Sequence, residues 1–517
     1  MKKVNVLLLF IFILLMLCGC KNTSASDKSN DSVSLNEKSG IPVVSITTNN
    51  RTESAMDFVT KPIAGFVAEM IASWTPDYVM PPAPYYEECK ITVTDADGRV
   101  TLSDTDAQVK VRGNWTTTYE KKPLRIKFAE KQTLLGLNDG AEMKNWVLLA
   151  EYKDGSMLRN KTILSIAEEL FAGEDLYVTD TELVEVVING EYWGVYLLAE
   201  YQQINEDRVN ITEAEQDYTG TDIGYFLELD GYAYANEDKL KEFYIDYADN
   251  APLVPFDGRE DTADAVSEMN LVNGFTIKSD ICSSKQRDFI ASYVNNVYRI
   301  LYAAAYEGKA YVFNSGYTAI EETKEITPQE AVERVVDTKS LAYTYIINEI
   351  ACDADIYWSS FYMTVDFGEE GNKKLTFEAP WDFDSALGNR DRCADGTGFH
   401  AGNMVWEVNG GYQSINPWLA VLMHEDWFTA LVAEQWTAAY DGSVFERAYA
   451  MIEEDMTQYS AAFERNYAKW NNIAVRIDFD KELSTQALQC RNQKEAAEHL
   501  LQWLKARVEF LNEYWHK

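Results

Sequence analysis

The chain has 517 residues, 46% apolar and 25% charged, a globular balance that excludes a wholly disordered protein and suits roughly two to four domains. Asp and Glu number 83 against 46 Lys and Arg, and the net charge of −37 repels phosphate backbones, which excludes nucleic acid as a general partner. Four histidines leave little material for a His-rich metal centre.

Residues 1–19 read as a targeting segment. Lys2 and Lys3 precede an unbroken apolar run from Val6 to Leu17, too short to span a bilayer comfortably and of the length of a signal-peptide core. The ending Leu17-Cys18-Gly19-Cys20 resembles a bacterial lipobox, which implies acylation of Cys20, anchoring to the lipid bilayer and a place on the extracytoplasmic face of the cell membrane; a plain secretory signal is the alternative. Residues 20–40 are rich in Ser, Asn, Asp and Lys without an apolar period, as in a solvated tether.

Residues 41–106 read as β-rich. Val43–Thr47 and Cys89–Thr94 have strand character, and Asp95-Ala96-Asp97-Gly98 reads as a turn before Val100–Leu102, with a calcium loop as the weaker alternative. Gln108–Val111 and Leu124–Phe128 alternate with period two, and Trp146–Leu149 suits a buried strand. Helical spacing follows over Ser156–Phe171. Val184–Ile188, Asn189-Gly190 and Gly194–Leu198 then form a hairpin signal, with another strand at Tyr225–Leu229. Residues 200–268 hold 19 acids against 4 bases, a solvated face or a surface for basic substrates. Helical periods return over Phe289–Tyr306 and Ala331–Ile350, two short strands lie between 361 and 384, and the chain beyond His400 is mostly helical, ending in a stripe of Leu500, Leu504, Val508, Leu511 and Trp515.

Walker A, GxGxxG, HExxH and GxSxG motifs are absent. With Cys18 and Cys20 set aside, Cys89, Cys282, Cys352, Cys393 and Cys490 show no CxxC spacing, which disfavours zinc; Cys352 with Cys393 is the disulfide to test against buried free thiols. What remains is an acidic constellation: Asp353 and Asp355 at the end of a helical run, then a short hairpin, then Pro380-Trp381-Asp382-Phe383-Asp384. Carboxylates beside buried strands are costly unless cations or hydrogen bonds compensate them. This spacing suits phosphoryl transfer, in which one carboxylate orients the hydroxyl and others hold magnesium; glycoside hydrolysis and a structural calcium site are the alternatives.

Several stretches carry a resemblance. Arg112-Gly113-Asn114-Trp115, Lys121–Phe128, Trp146–Ala150, Asp154-Gly155-Ser156-Met157-Leu158-Arg159-Asn160, Asn189–Tyr196 and Pro380–Asp384 together resemble the spore coat protein CotH kinase family, from about Ile41 through Asn389. The resemblance implies an α+β, atypical protein-kinase-like core at 107–394, with a β-rich N-lobe and a helical C-lobe, followed by a helical C-terminal region at 395–517. It implies transfer of the ATP γ-phosphate to Ser/Thr hydroxyls of a protein substrate, with Mg²⁺ or Mn²⁺. Asp355 falls at the catalytic position, and Asp382, Asp384 and Ser360 at the metal. Arg112, Asn114, Lys122, Lys127 and Arg159 fall where nucleotide phosphates would bind. Relatives often carry Asn at the positions of Asp353 and of Ser359 or Ser360, so an inactive family fold acting as a binding or assembly module is the alternative.

Overall fold

The computed structural model describes residues 40–65, 68–69, 72–73, 75–113, 115–247, 253–256, 271–353, 355–390, 395–403, 405–407, 412–471, 473 and 483–517. Cys20, Asn114 and Cys393, and with them the lipobox, one phosphate-loop residue and the disulfide expectation, lie outside the described residues.

Strands β1 (Val43–Thr48), β2 (Glu87–Thr94), β3 (Val100–Val111), β4 (Leu124–Gln132), β5 (Met143–Leu149), β6 (Thr181–Ile188) and β7 (Glu191–Glu200) close into a barrel in the order β1-β2-β3-β4-β5-β7-β6. The N-terminal β-rich segment is therefore not a separate layer, because β1 to β3 are staves of the same barrel. β1 closes the ring by pairing parallel with β6, and the other neighbours pair antiparallel. Period-two alternation sends Val109, Val111, Leu124, Ile126 and Trp146 inward to a barrel core of their own. The opposite face of β3 and β4 therefore carries Lys110, Arg125 and Lys127. In the β6–β7 turn Asn189 and Gly190 both have positive φ, 53° and 82°, as a tight two-residue hairpin requires. At the Asp95 turn the carboxylate accepts the amides of Asp97 and Arg99 at 3.1 and 2.8 Å, so local hydrogen bonds account for the DxDG sequence.

Strands β8 (Gly224–Leu229), β9 (Glu242–Tyr244), β10 (Gly274–Ile277), β13 (Phe361–Asp366) and β14 (Thr376–Phe377) form a second sheet in the order β14-β13-β8-β10-β9, and β11 (Ala310–Phe313) and β12 (Ile320–Thr323) make a separate hairpin. Of these, β9 to β12 carried no sequence signal, being four residues long or less. The longer helices are α1 (Arg159–Phe171), α2 (Ser284–Tyr302), α3 (Pro328–Glu333), α4 (Thr338–Ala351), α5 (Asp426–Asp441), α6 (Val444–Gln458), α7 (Ser460–Trp470) and α8 (Gln493–Trp515). The helical period over Ala331–Ile350 splits into α3 and α4 because Asp337 caps a new start, accepting the Ser340 amide at 3.0 Å. The apolar stripe of α8, from Leu500 to Trp515, packs into the same core as α1, α4 and the second sheet. Among the described residues no helix is long and apolar enough to cross a membrane.

Candidate active site

Helix α4 is stopped by Cys352, whose φ of 46° turns the chain out of the helix. Asp353 follows, fully buried, and Asp355 opens a 3-10 turn, Asp355–Tyr357. Three hydrogen bonds fix this loop. His400 Nε2 donates to the Asp353 carbonyl at 3.0 Å, the Tyr357 hydroxyl donates to the His400 carbonyl at 2.8 Å, and Asn416 Nδ2 donates to the Ile356 carbonyl at 2.8 Å. Behind it, the Glu349 carboxylate of α4 accepts the amides of His400 and Ala401 at 2.5 and 2.8 Å and pairs with the buried Arg507 of α8.

The second arm is the turn after β14. Asp382 has a φ of 71°, and Ser360, itself at 60°, donates its hydroxyl to Asp382 Oδ2 at 3.4 Å. Lys153 Nζ lies 2.9 Å from Asp384 Oδ1 and 2.6 Å from Ser385 Oγ, while Asn389 Nδ2 donates to the Asp384 carbonyl at 2.7 Å. The two arms sense each other. Burial, then the charges of Asp384 and Asp355, push the Asp382 carboxyl up to about 7, with Lys153 and Arg112 working the other way. Burial and the charges of Asp355 and Asp382 push Asp353 well above the usual carboxylate range. Both carboxylate oxygens of Asp353 are buried, and the Asp355 amide is the group that works toward its ionised form.

A buried carboxyl either keeps its proton, the direction in which burial pushes Asp353 and Asp382, or meets a cation. Asp382 and Asp384 are oxygen ligands of the type that suits a divalent ion. Mg²⁺ typically takes one or two carboxylates and completes its shell with substrate phosphates and water, a demand that Asp382 and Asp384 can meet. Among the described residues no three His, Cys, Asp or Glu side chains converge to hold a metal unaided.

Cations line the outer face of β3 and β4. Lys110 pairs across the ladder with Arg125, and Lys127 follows two residues on, opposite Gln108. Arg112, just past the end of β3, continues the row. Its guanidinium lies 5.6 Å from the Trp381 ring centre, beside Asp382. Arg125 sits 4.0 Å over the Tyr201 ring and donates to Asn145 at 2.8 Å, which leaves its buried Nε without an acceptor. Burial, then the Arg125 charge, pulls the Lys110 ammonium down. Among the described residues none of these four cations forms an ion pair, in a chain with 83 acids.

The sequence matches the family described as CotH kinase protein over residues 109–511, well over half of the chain. The chain belongs to this family. No curated protein matches it. The CotH match starts inside β3 and ends inside α8, so it runs past residue 394 and takes in the C-terminal helices that pack on the same core.

Within this CotH-family fold the structure brings together Asp355, Asp382, Asp384, Ser360 and Arg112. It does not bring Arg159 to them as a phosphate clamp. That guanidinium is buried, ion-paired with Asp154, and donates Nε to the carbonyls of Ala386 and Leu387 at 3.1 and 3.4 Å, so its fork is committed to the fold. Lys122 is corrected in the same way, because its Nζ is turned inward to the Tyr119 carbonyl at 2.5 Å and burial lowers its pKa. Lys127 is exposed at the far end of the cationic row. Lys153, Lys110 and Arg125 were missed. Lys110 and Arg125 were readable from the period of two that they share with Arg112 and Lys127, whereas the contact of Lys153 with Asp384 spans more than two hundred residues and leaves no local signal.

Proposed function

We propose that this chain is a CotH-type extracytoplasmic protein kinase, anchored through Cys20, that transfers the ATP γ-phosphate to Ser/Thr hydroxyls of surface or coat proteins. The observation that carries the reading is the convergence of the Asp355 loop with the Asp382–Asp384 turn, next to a row of cations that close no ion pair among the described residues. In a two-lobed, kinase-like arrangement the barrel supplies the cations and the second sheet with α4 supplies the acids.

Asp355 would accept the proton of the incoming hydroxyl as its oxygen bonds to Pγ, while the bond from Pγ to the β–γ bridging oxygen breaks and ADP leaves with that electron pair. A divalent ion held by Asp382 and Asp384, with Ser360 beside them, supplies charge neutralisation of the phosphates when bound. Arg112, Lys110 and Arg125 would hold phosphate oxygens, Arg as a fork and Lys as a point charge.

The test is transfer of labelled γ-phosphate by the purified protein with Mg²⁺ or Mn²⁺, to itself or to a Ser-rich acceptor. Wild type is expected to label, whereas Asp382→Ala and Asp355→Asn should lose at least a hundredfold in rate. A folded wild type that neither labels nor binds nucleotide would instead favour the second reading, a binding or assembly module without turnover. That reading draws on Ser359 and Ser360, which stand where relatives often carry Asn, and on Lys153, which already neutralises Asp384 without a metal.

A further inference from the structure

One ten-residue stretch grips the Asp382–Leu387 turn along its length. Lys153 holds Asp384 and Ser385, and Arg159 holds the carbonyls of Ala386 and Leu387. The grip nearest the chemistry comes from Asn160. Its Oδ1 accepts the backbone N–H of Phe383 at 2.7 Å, and its Nδ2 donates to both oxygens of Glu151, at 3.0 and 3.3 Å. Asn160 is 4% exposed and Glu151 5%, so solvent cannot replace these bonds. The bonded amide follows Asp382, whose φ of 71° belongs to a region that disfavours a non-glycine residue and persists only when neighbours impose it.

We propose that Asn160, oriented by Glu151, is the positioning residue of the acid turn: by fixing the Phe383 amide it holds Asp382 in the left-handed conformation that presents its carboxylate to the cation. This rests on the reading of Asp382 as a cation ligand for its functional consequence, but not for the bond itself. The direction of each hydrogen bond matters. Phe383 N–H can only donate, so Asn160 must offer oxygen to it and nitrogen to Glu151.

The test removes the link and then keeps it with a neutral partner. Asn160→Ala and the bulkier Asn160→Leu each remove both links, whereas Glu151→Gln still offers an acceptor to the Asn160 amide. Two readouts are taken on the full protein: amide hydrogen exchange at Phe383, which needs neither metal nor nucleotide, and Mn²⁺ affinity by calorimetry. Both Asn160 variants are expected to speed exchange at Phe383 and to weaken Mn²⁺ binding by at least tenfold, and Glu151→Gln to keep both within about threefold. Should Asn160→Ala not fold, Asn160→Leu against Glu151→Gln decides the matter. Unchanged exchange at Phe383 in the folded Asn160 variant, or a Glu151→Gln variant that matches it, would overturn the proposal. If wild type itself takes up no Mn²⁺, the cation reading fails, while the exchange result still decides whether Asn160 holds the turn.

Discussion

Asp382 combines the two pressures that set a carboxyl group's behaviour, loss of water and proximity of like charge, and its pH dependence follows. The folded protein holds this proton up to about pH 7, whereas an unfolded aspartate releases it near roughly 3.9. Between those values the unfolded chain has lost a proton that the folded chain keeps, so this group's contribution to stability is full below the lower value and is lost as pH rises through the upper one. A divalent cation competes for the same carboxylate. We therefore expect Mn²⁺ affinity, measured by calorimetry between pH 5.5 and 8, to rise about tenfold per pH unit and to level off above about 7. Asp382→Asn should flatten both the affinity profile and the stability profile. Lys153 tempers the effect without abolishing it, because its ammonium is spent on Asp384.

Among the elements, the contact of β7 with α7 shows how the C-terminal helices dock on the barrel. Gly194 on β7 has a φ of 128°, and a β-carbon there would lie 2.6 Å from Asn466 Oδ1 and 2.9 Å from Trp470 Nε1. Those two atoms bond the strand itself: Asn466 accepts the Val195 amide at 3.1 Å, and Trp470 donates to the Trp193 carbonyl at 2.7 Å. Gly194→Ala is expected to cost about 1–3 kcal/mol in denaturant unfolding, from both the strained φ and the lost docking. Other C-terminal groups reach the segments that flank the acid turn. Tyr467 donates to the Gly155 carbonyl at 2.9 Å, Gln493 to that of Ser156 at 2.9 Å and Ser484 to that of Gly388 at 2.8 Å.

None of these cross-chain contacts was legible in the sequence, although the elements they join were. The hairpin at Asn189-Gly190, the amphipathic stripe of α8 and the alternation in β3 and β4 are local patterns, and local patterns survive in a single sequence. Barrel closure, the short strands β9 to β12 and the burial of Lys122 and Arg159 depend on partners far along the chain. A lysine or arginine in a phosphate-like motif reads the same whether it faces a ligand or a backbone carbonyl. The acids were legible because Asp353, Asp355, Asp382 and Asp384 fall in two tight pairs among apolar neighbours, where ionised groups are expensive.

For the molecule as a whole, the charge of −37 and the proposed anchor act together. The proposed acylation at Cys20 would have to hold this acidic body near a membrane whose anionic headgroups repel it. Cys20→Ser is accordingly expected to move the protein from the membrane fraction to the soluble fraction. Retention at the membrane would count against lipidation at this residue.

The parallel pairing of β1 with β6 also sets an order of events. Val43 finds Glu185 as its partner across the barrel seam, so in a chain synthesised N-terminus first, β1 has only β2 to lean on until β6 has emerged. Contacts so distant along the chain form slowly, since the intervening loop must lose its freedom first. During that interval the open seam is an unpaired strand edge, the kind of surface on which neighbouring copies stick together. Substitutions that weaken β1 should therefore lower the yield of folded protein more than they lower the stability of molecules that have closed their barrel.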